Sequence, residues 1–152
     1  TLIGEKMAEV FESDKSGTAS IGHGYTYSGH PVGCAAGIAA LAETRRLKLN
    51  ENAAARGEEL LAALQALQAK HAIVGDVRGK GLMAALELVE DRATKKVLDK
   101  ARLAIIAETA YEAGVMIRVS GNNIILSPPL ILAAADVAKI AQALDAGLSA
   151  AG

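Results

Sequence analysis

The stretch that decides the fold is IVGDVRGKGLMAALELV, which runs from residue 73 to residue 89. Two apolar runs, Ile73–Val77 and Leu82–Val89, flank the turn-forming residues Gly79-Lys80-Gly81. Apolar runs on either side of a glycine-rich turn are typical of an antiparallel hairpin. We therefore predict that this stretch is one hairpin of a short antiparallel sheet.

The same residues also fit a dinucleotide-binding pattern, because Gly79 to Ala84 match G-x-G-x-x-A. That pattern requires a helix after the turn and an acidic residue at a strand end about twenty positions further on. Leu82–Val89 fits a strand as well as a helix, and Asp99 falls inside a helical pattern. The hairpin is therefore the favoured interpretation, and a nucleotide-binding domain stays open as an alternative.

A second hairpin and several helices surround this stretch. Val115–Val119 and Ile124–Leu126 are short β-rich runs separated by four residues, 120–123, and Pro128-Pro129 ends the second run. Helical periodicity is found at about 2–13, 31–46, 51–71, 93–113 and 134–149. Hairpin strands covered by helices predict an α+β fold.

Local signals predict where two of these helices begin and which side of a third is buried. Pro31 suits a first helical position because its missing N–H needs no partner there. Asn50 is a candidate N-cap for the helix at 51–71. The helix at 93–113 is expected to bury one side, which includes Val97, Ile105 and Tyr111.

Composition excludes several classes of protein. The 152 residues are 51% hydrophobic but only 3% aromatic, so the core must be aliphatic. A net charge of −1 favours neither nucleic acid nor an anionic membrane as a partner. The single Cys34 fits a reducing, cytoplasmic environment and excludes an internal disulfide framework. The chain starts at Thr1 without a Met, and we expect it to be a fragment.

The segment His23-Gly24-Tyr25-Thr26-Tyr27-Ser28-Gly29-His30-Pro31 has the composition of an anion-binding loop. Glycines allow a ligand close to the backbone, and hydroxyl and N–H groups can donate to phosphate oxygens. The alternative without a binding role is a surface loop that caps a helix. A metal site is not expected, because His23 and His30 have no third ligand between them and zinc needs three or four.

Arg118 is the other candidate for binding. By alternation it shares one strand face with Met116 and Ser120. A lone arginine on a strand is usually solvated, but its guanidinium can also hold a carboxylate with two parallel hydrogen bonds. No nucleophile–base constellation accompanies it: the chain has no G-x-S-x-G, no C-x-x-C and no paired carboxylate motif.

Four segments together resemble the C-terminal part of class III pyridoxal-phosphate-dependent aminotransferases, in the family's order and over nearly the whole chain. Within that family, the residues of these segments are most similar to those of the ω-amino acid or amine:pyruvate aminotransferases. Two turns depart from the usual pattern, at Lys80 and at Asn122-Asn123. The matching segments are residues 23–31, 74–83, 114–118 and 124–130.

The resemblance implies a fold and a site. The parent would be α/β overall, with residues 1–47 the end of the large cofactor-binding domain and 48–152 the small C-terminal domain of a PLP-dependent transferase fold. Tyr25, through its backbone, and Thr26, through its hydroxyl and N–H, would bind the phosphate of pyridoxal 5'-phosphate in the neighbouring subunit of a homodimer. Arg118 would bind the substrate carboxylate. The reaction would move an amino group from an ω-amino acid or amine donor to a keto acid such as pyruvate.

The resemblance also implies that a catalytic group is absent. Transamination needs a lysine that forms a Schiff base with the cofactor. No lysine of this chain stands in the family's context for that residue, so no catalytic residue is assigned and the chain alone is expected to be inactive. Two alternatives stay open: a non-catalytic dimerisation or binding module, and an aminomutase or racemase of the same cofactor class.

Overall fold

The computed structural model describes residues 3–20, 22 and 24–152. It divides into two compact units, Thr1–Leu41 and Ala42–Gly152. The division lies inside a helix, somewhat before the boundary between residues 47 and 48 that the sequence predicts. His23 lies outside the described residues, so the structure says nothing about its predicted place in the anion-binding loop.

Among its described residues, the first unit has no buried core of its own. It contains helix α1, Glu5–Glu12, and most of helix α2, Pro31–Arg46, whose bounds confirm the predicted 31–46 and the position of Pro31. None of the described side chains of these helices is buried. Val32 and Ile38 on α2 are 71% and 69% exposed. Because most helical stability in proteins comes from packing an apolar face, these helices lack that stabilisation within their own unit.

The second unit is a five-stranded antiparallel sheet with three helices, which confirms the predicted α+β fold. The sheet order is β1-β2-β5-β4, and the short β3 pairs with β2. The elements are α3 Leu49–Lys70, β1 Val74–Lys80, β2 Met83–Asp91, β3 Lys96–Val97, α4 Lys100–Glu112, β4 Arg118–Ser120, β5 Asn123–Leu126 and α5 Ala134–Ala151.

The core lies between one face of this sheet and the three helices. Leu86 and Ile124 of the sheet, Leu64 of α3, Ile106 of α4 and Leu144 of α5 all have no exposed surface. The side chains are aliphatic, as the low aromatic content requires. Fully burying one such side chain stabilises the fold by roughly 1.5–3 kcal/mol, so this single layer of aliphatic contacts holds the second unit together.

The first hairpin is confirmed and the nucleotide-binding alternative is wrong. Lys80 pairs with Met83, so Gly81 and Leu82 form a two-residue loop, and Gly81 has the positive φ of 55° that such a turn requires. A strand of nine residues follows the glycines. No helix therefore follows the glycines in the chain, as the dinucleotide-binding pattern requires.

Helix α3 approaches this turn closely. A Cβ atom built on Gly57 would lie 2.5 Å from the Cα atom of Gly81. Two glycines thus meet where a helix crosses a hairpin, and the absence of a side chain on Gly57 is what permits the contact.

Two predicted helix starts are wrong. Helix α3 begins at Leu49 with Lys48 at the N-cap position, so Asn50 lies inside the helix. Helix α4 begins only at Lys100, with Asp99 as the N-cap that accepts a hydrogen bond from the backbone N–H of Ala101. The preceding residues form a turn, in which the Asp91 carboxylate accepts from Thr94, and then strand β3. The pairing of β3 with β2 outcompetes the helical periodicity.

The predicted buried side of α4 is wrong in part. Tyr111 is 68% exposed and Ile105 is 41% exposed, whereas Leu103 and Ile106 are buried. Val97 lies in β3, outside the helix, and is 60% exposed. The stripe of α4 is therefore rotated relative to the predicted one, because α4 packs against both α5 and the end of the sheet.

The second hairpin is present with a shorter loop than predicted. Ser120 pairs with Asn123, so the loop has two residues, Gly121 and Asn122, and Gly121 has a φ of 59°. Strand β4 contains only Arg118–Ser120, while the residues before it approach the sheet without pairing.

Candidate substrate- and cofactor-binding sites

The face of the sheet opposite the core carries a group of polar side chains that includes Arg78, Glu87 and Asn123. Cross-strand pairs of an antiparallel sheet point to the same side. The pairs Arg78–Ala85, Ala85–Ile125 and Ile125–Arg118 form one continuous row from β1 to β4. Arginines thus stand at both edges of one row, about 14 Å apart at three strand spacings. Small and apolar side chains lie between them.

Arg118 at one end of this row is exposed and available. Its side chain makes no hydrogen bond or ion pair with any residue that the structure describes. Val115 and Ile117 pack against the core, so Met116 and Arg118 face outward as the alternation predicts. An unpaired guanidinium over an apolar floor can bind a carboxylate with two parallel hydrogen bonds.

A groove beside Arg118 is shaped by the loop that follows β5. The lining includes Met116, Ser127 and the pair Pro128-Pro129. The amide of Asn52 on α3 donates to the carbonyl oxygens of Leu130, at 2.8 Å, and Leu132, at 3.0 Å. These bonds tie the loop to α3 and keep the proline pair beside Arg118. Pro128-Pro129 ends the strand as predicted, since β5 stops at Leu126.

Arg78 at the other end of the row is bonded to three neighbouring side chains. One guanidinium nitrogen, Nη1, lies 2.8 Å from Asp76 Oδ2 and 3.3 Å from Glu87 Oε2, and Nη2 lies 2.7 Å from Asn123 Oδ1. The hydrogen bond that Arg78 donates to Asp76, with the charges of Asp76 and Glu87, raises the pKa of Arg78. Two carboxylates neutralise this cation, so Arg118 is the free positive charge of the row.

The loop before α2 forms two tight turns. The Tyr25 carbonyl accepts from Ser28 N–H at 2.9 Å, and the Tyr27 carbonyl accepts from His30 N–H at 3.1 Å. Gly29, with a φ of 71°, sits at the third position of the second turn, where a positive φ is needed. These turns present residues 25–28 on the surface just before the first turn of α2.

Within this loop, Thr26 has two unused donors. Its hydroxyl and its backbone N–H make no hydrogen bond with the described part of the chain. The N–H of Tyr25 already donates to Ser28 Oγ at 3.0 Å. The chemistry of Thr26 therefore fits an anion such as a phosphate, whereas a phosphate at the Tyr25 N–H has to replace Ser28.

Neither a metal cluster nor a membrane span is found in the described ranges. Over residues 3–20, 22 and 24–152, no three His, Cys, Asp or Glu side chains are grouped closely enough to hold a metal ion. The helices of the same ranges are all too short or too polar to cross a membrane.

Sequence reasoning missed Arg78 and Asn123 as parts of one network. Asp76 and Arg78 alternate on β1, and Glu87 lies two residues after Ala85 on β2, so the period of two places all three on one face once the hairpin register is known. The alternation within the first hairpin could therefore have revealed the contacts of Arg78 with Asp76 and Glu87. The contribution of Asn123 needed the β2–β5 pairing, which joins residues distant in sequence.

Solved structures with this fold define the class. The chain superposes with a TM-score of 0.91 and 45% identity on a PLP-bound amine transaminase from an uncultivated Pseudomonas species, over 97% of this chain and 34% of that one. The fold is thus that of a PLP-dependent transaminase, over the part of the molecule that this chain spans.

The sequence comparisons identify the family. Residues 2–148 match the family model described as aminotransferase class-III, and the chain belongs to that family. It is 37% identical to a taurine–pyruvate aminotransferase of Bilophila wadsworthia over 95% of this chain and 34% of that protein. It is 34% identical to an ethanolamine-phosphate phospho-lyase homolog of Caenorhabditis elegans over 82% of this chain and 27% of that protein. The chain therefore spans about a third of the length of these relatives.

Proposed function

We propose that this chain supplies two binding elements of a PLP-dependent aminotransferase that moves an amino group from an ω-amino acid or amine to a keto acid such as pyruvate. Arg118 holds the carboxylate of the donor or acceptor. The observation that carries the proposal is the contrast within one row of the sheet: Arg78 is neutralised by its neighbours, and Arg118 is exposed and unpaired among the described residues.

Thr26 is proposed to hold the cofactor phosphate through its hydroxyl and its N–H, with Tyr25 beside it. Both donors are unused within the described chain, and α2 begins a few residues later at Pro31. The positive end of a helix dipole favours an anion near its N-terminus. In this proposal the phosphate belongs to the neighbouring subunit of a homodimer, in the cytoplasm.

Pyridoxal phosphate, when bound, supplies the electron sink that makes the proton on the amine-bearing carbon of the substrate acidic. The residues of this chain do not move that proton. They orient the substrate: an arginine that grips the carboxylate fixes the position of the amino group at the other end of an ω-amino acid. The Schiff-base lysine is proposed to lie outside this chain.

The chain by itself is therefore expected to be inactive. Incubated with pyridoxal phosphate, β-alanine and pyruvate, the pure 152-residue chain should form no alanine above the buffer control. Steady alanine formation by this chain would contradict the assignment of the lysine to another part of the protein.

The role of Arg118 is tested in the full-length protein that contains this chain. With pyruvate saturating, Arg118→Ala should raise KM for β-alanine about tenfold or more, because a charged hydrogen-bonding pair is lost. KM for propylamine, which has an amino group but no carboxylate, should change less than about twofold. An equal loss for both donors would show that Arg118 is structural.

The reaction itself depends on residues beyond these two elements. A relative that carries the printed name of a phospho-lyase shares 34% identity with this chain, so this part of the sequence is compatible with more than one reaction of the cofactor. Detection of alanine from pyruvate supports transamination. Consumption of the amine without alanine supports a lyase or an aminomutase, and loss of optical activity of a chiral amine without alanine supports a racemase.

A further inference from the structure

Arg78 is the most heavily bonded side chain on the uncovered face of the sheet, and carboxylate binding does not explain it. Its guanidinium already donates to Asp76, Glu87 and Asn123. With two carboxylates against one cation, it offers no net positive charge to a substrate. Its function must therefore be sought in what it holds in place.

What Arg78 holds is the hairpin that carries Arg118. The Arg78 side chain starts on β1 and reaches across β2 to Asn123, the first residue of β5. Asn123 pairs with Ser120, only two residues after Arg118. Strand β4 is three residues long and pairs, within the described sheet, with β5 alone. The position of Arg118 thus depends directly on the position of Asn123.

The loop of this hairpin is anchored at a second point. The backbone carbonyl of Asn122 accepts from Leu88 N–H at 2.8 Å, and its side-chain amide donates to the Leu88 carbonyl at 3.1 Å. Asn123 donates in turn to the Asn122 side chain at 3.1 Å. Arg78, Asn123 and Asn122 therefore connect the opposite edge of the sheet to the loop that precedes β5.

This network lies outside the core. Arg78 is half exposed, and the bond to Asn123 is on the solvent side of the sheet. The buried face opposite, which includes Leu86 and Ile124, does not use it. Removing the Asn123 bond therefore loosens β4 and β5 without opening a cavity.

We propose that Arg78, through Asn123, is a positioning residue that holds strand β4 so that Arg118 is preorganised for a substrate carboxylate. The inference rests on the proposed role of Arg118 and assigns a function to the Asn122-Asn123 pair. A strand held in place beforehand loses less conformational freedom when the ligand binds, and affinity rises accordingly.

The primary test uses Asn123→Ala in the full-length holoenzyme. This change removes the oxygen that accepts from Arg78 and leaves the ion pairs of Arg78 with Asp76 and Glu87 in place. KM for β-alanine should rise about fivefold and KM for propylamine should change less than about twofold. Asn123→Asp keeps an acceptor oxygen for Arg78 but loses the donor to Asn122, so KM for β-alanine should rise less than in Asn123→Ala and KM for propylamine should change less than about twofold.

Arg92→Ala is the matched structural control. Arg92 donates to the carbonyl oxygens of Gln68, His71 and Ala72 at the end of α3 and makes no hydrogen bond or ion pair with β4 or β5. Its loss should lower the melting temperature while both KM values change alike. An Asn123→Ala variant that behaves in the same way would overturn the positioning role.

A double-mutant cycle and hydrogen exchange separate this inference from the proposed function. In the Arg118→Ala background, Asn123→Ala should add nothing to KM for β-alanine. By amide hydrogen exchange, Asn123→Ala should speed exchange in 118–126 at least about threefold and leave α5 unchanged. An additive KM effect or unchanged exchange refutes the positioning role of Arg78 and Asn123. Neither result would affect the proposed binding of the carboxylate by Arg118. If Arg118→Ala does not separate the two donors, the proposed function fails, and this inference fails with it.

Discussion

The contact between Gly57 of α3 and Gly81 of the first hairpin yields the sharpest stability prediction. A Cβ atom on residue 57 would lie 2.5 Å from the Cα, carbonyl carbon and carbonyl oxygen of Gly81. Contacts below 3.0 Å are not tolerated, and ordinary contact starts at 3.4 Å. The hairpin loop and the helix must therefore separate by nearly 1 Å in Gly57→Ala.

Two terms of opposite sign set the magnitude. Replacing glycine by alanine inside a helix stabilises it by about 1 kcal/mol through helix propensity. Overpacking a tight contact costs about 1–3 kcal/mol, and here the upper part of that range applies, because the neighbours are backbone atoms that cannot rotate away. The net expectation is a loss of about 1–2 kcal/mol in the free energy of unfolding.

The assay is urea unfolding of the 152-residue chain, followed by circular dichroism, with Ala62→Gly as the matched control. Ala62 is exposed on the same helix, so its replacement measures the propensity term alone, a loss of about 1 kcal/mol. If Gly57→Ala stabilises the chain by the amount that Ala62→Gly loses, there is no steric contact between α3 and the hairpin, and the reasoning is refuted.

Two further predictions concern the cofactor loop and the acid stability of the fold. In the full-length protein, Thr26→Ala should raise the dissociation constant of pyridoxal phosphate about tenfold, while Thr26→Ser keeps the hydroxyl and should stay within about threefold. Equal dissociation constants for the wild type and both variants, measured by equilibrium dialysis, would show that Thr26 does not bind the phosphate. Lys70 Nζ and His71 Nε2 lie 2.7 Å and 2.6 Å from the Asp145 carboxylate, and these bonds lower the pKa of Asp145. Its stabilisation is therefore complete above the unfolded value of about 4 and is lost as the pH falls through the lower folded value. Asp145→Asn should flatten the decline of the melting temperature in this acid range, and a decline parallel to that of the wild type would contradict this account.

Much of the fold could be predicted from the sequence. The hairpin at 73–89 follows from local signals, because apolar runs on both sides of Gly81 leave a tight turn as the favoured connection. The bounds of α2 follow from Pro31 and the small residues after it. The loop with Tyr25 and Thr26 was indicated by its composition and Arg118 by strand alternation. Their specific roles came from resemblance to a family and stay predictions that the experiments above test.

The errors have a common physical origin. The residues at 93–97 have helical periodicity, yet β3 pairs with β2, and that pairing is not visible in the local pattern. Tyr111 fits an apolar stripe, but the packing of α4 against α5 rotates the buried side away from it. Tertiary contacts thus override local propensity where two elements compete for the same surface.

By itself, the sequence determined the class of fold, the first hairpin and the family to which the chain belongs. These depend on periodicity, turn residues and motifs, all of which act between neighbours along the chain. Only the tertiary structure decided which of the two arginines in the Arg78–Arg118 row is free. Neutralisation of Arg78 requires Glu87 and Asn123 from two other strands, and the strength of a charge interaction is set by distance in space rather than by distance along the sequence.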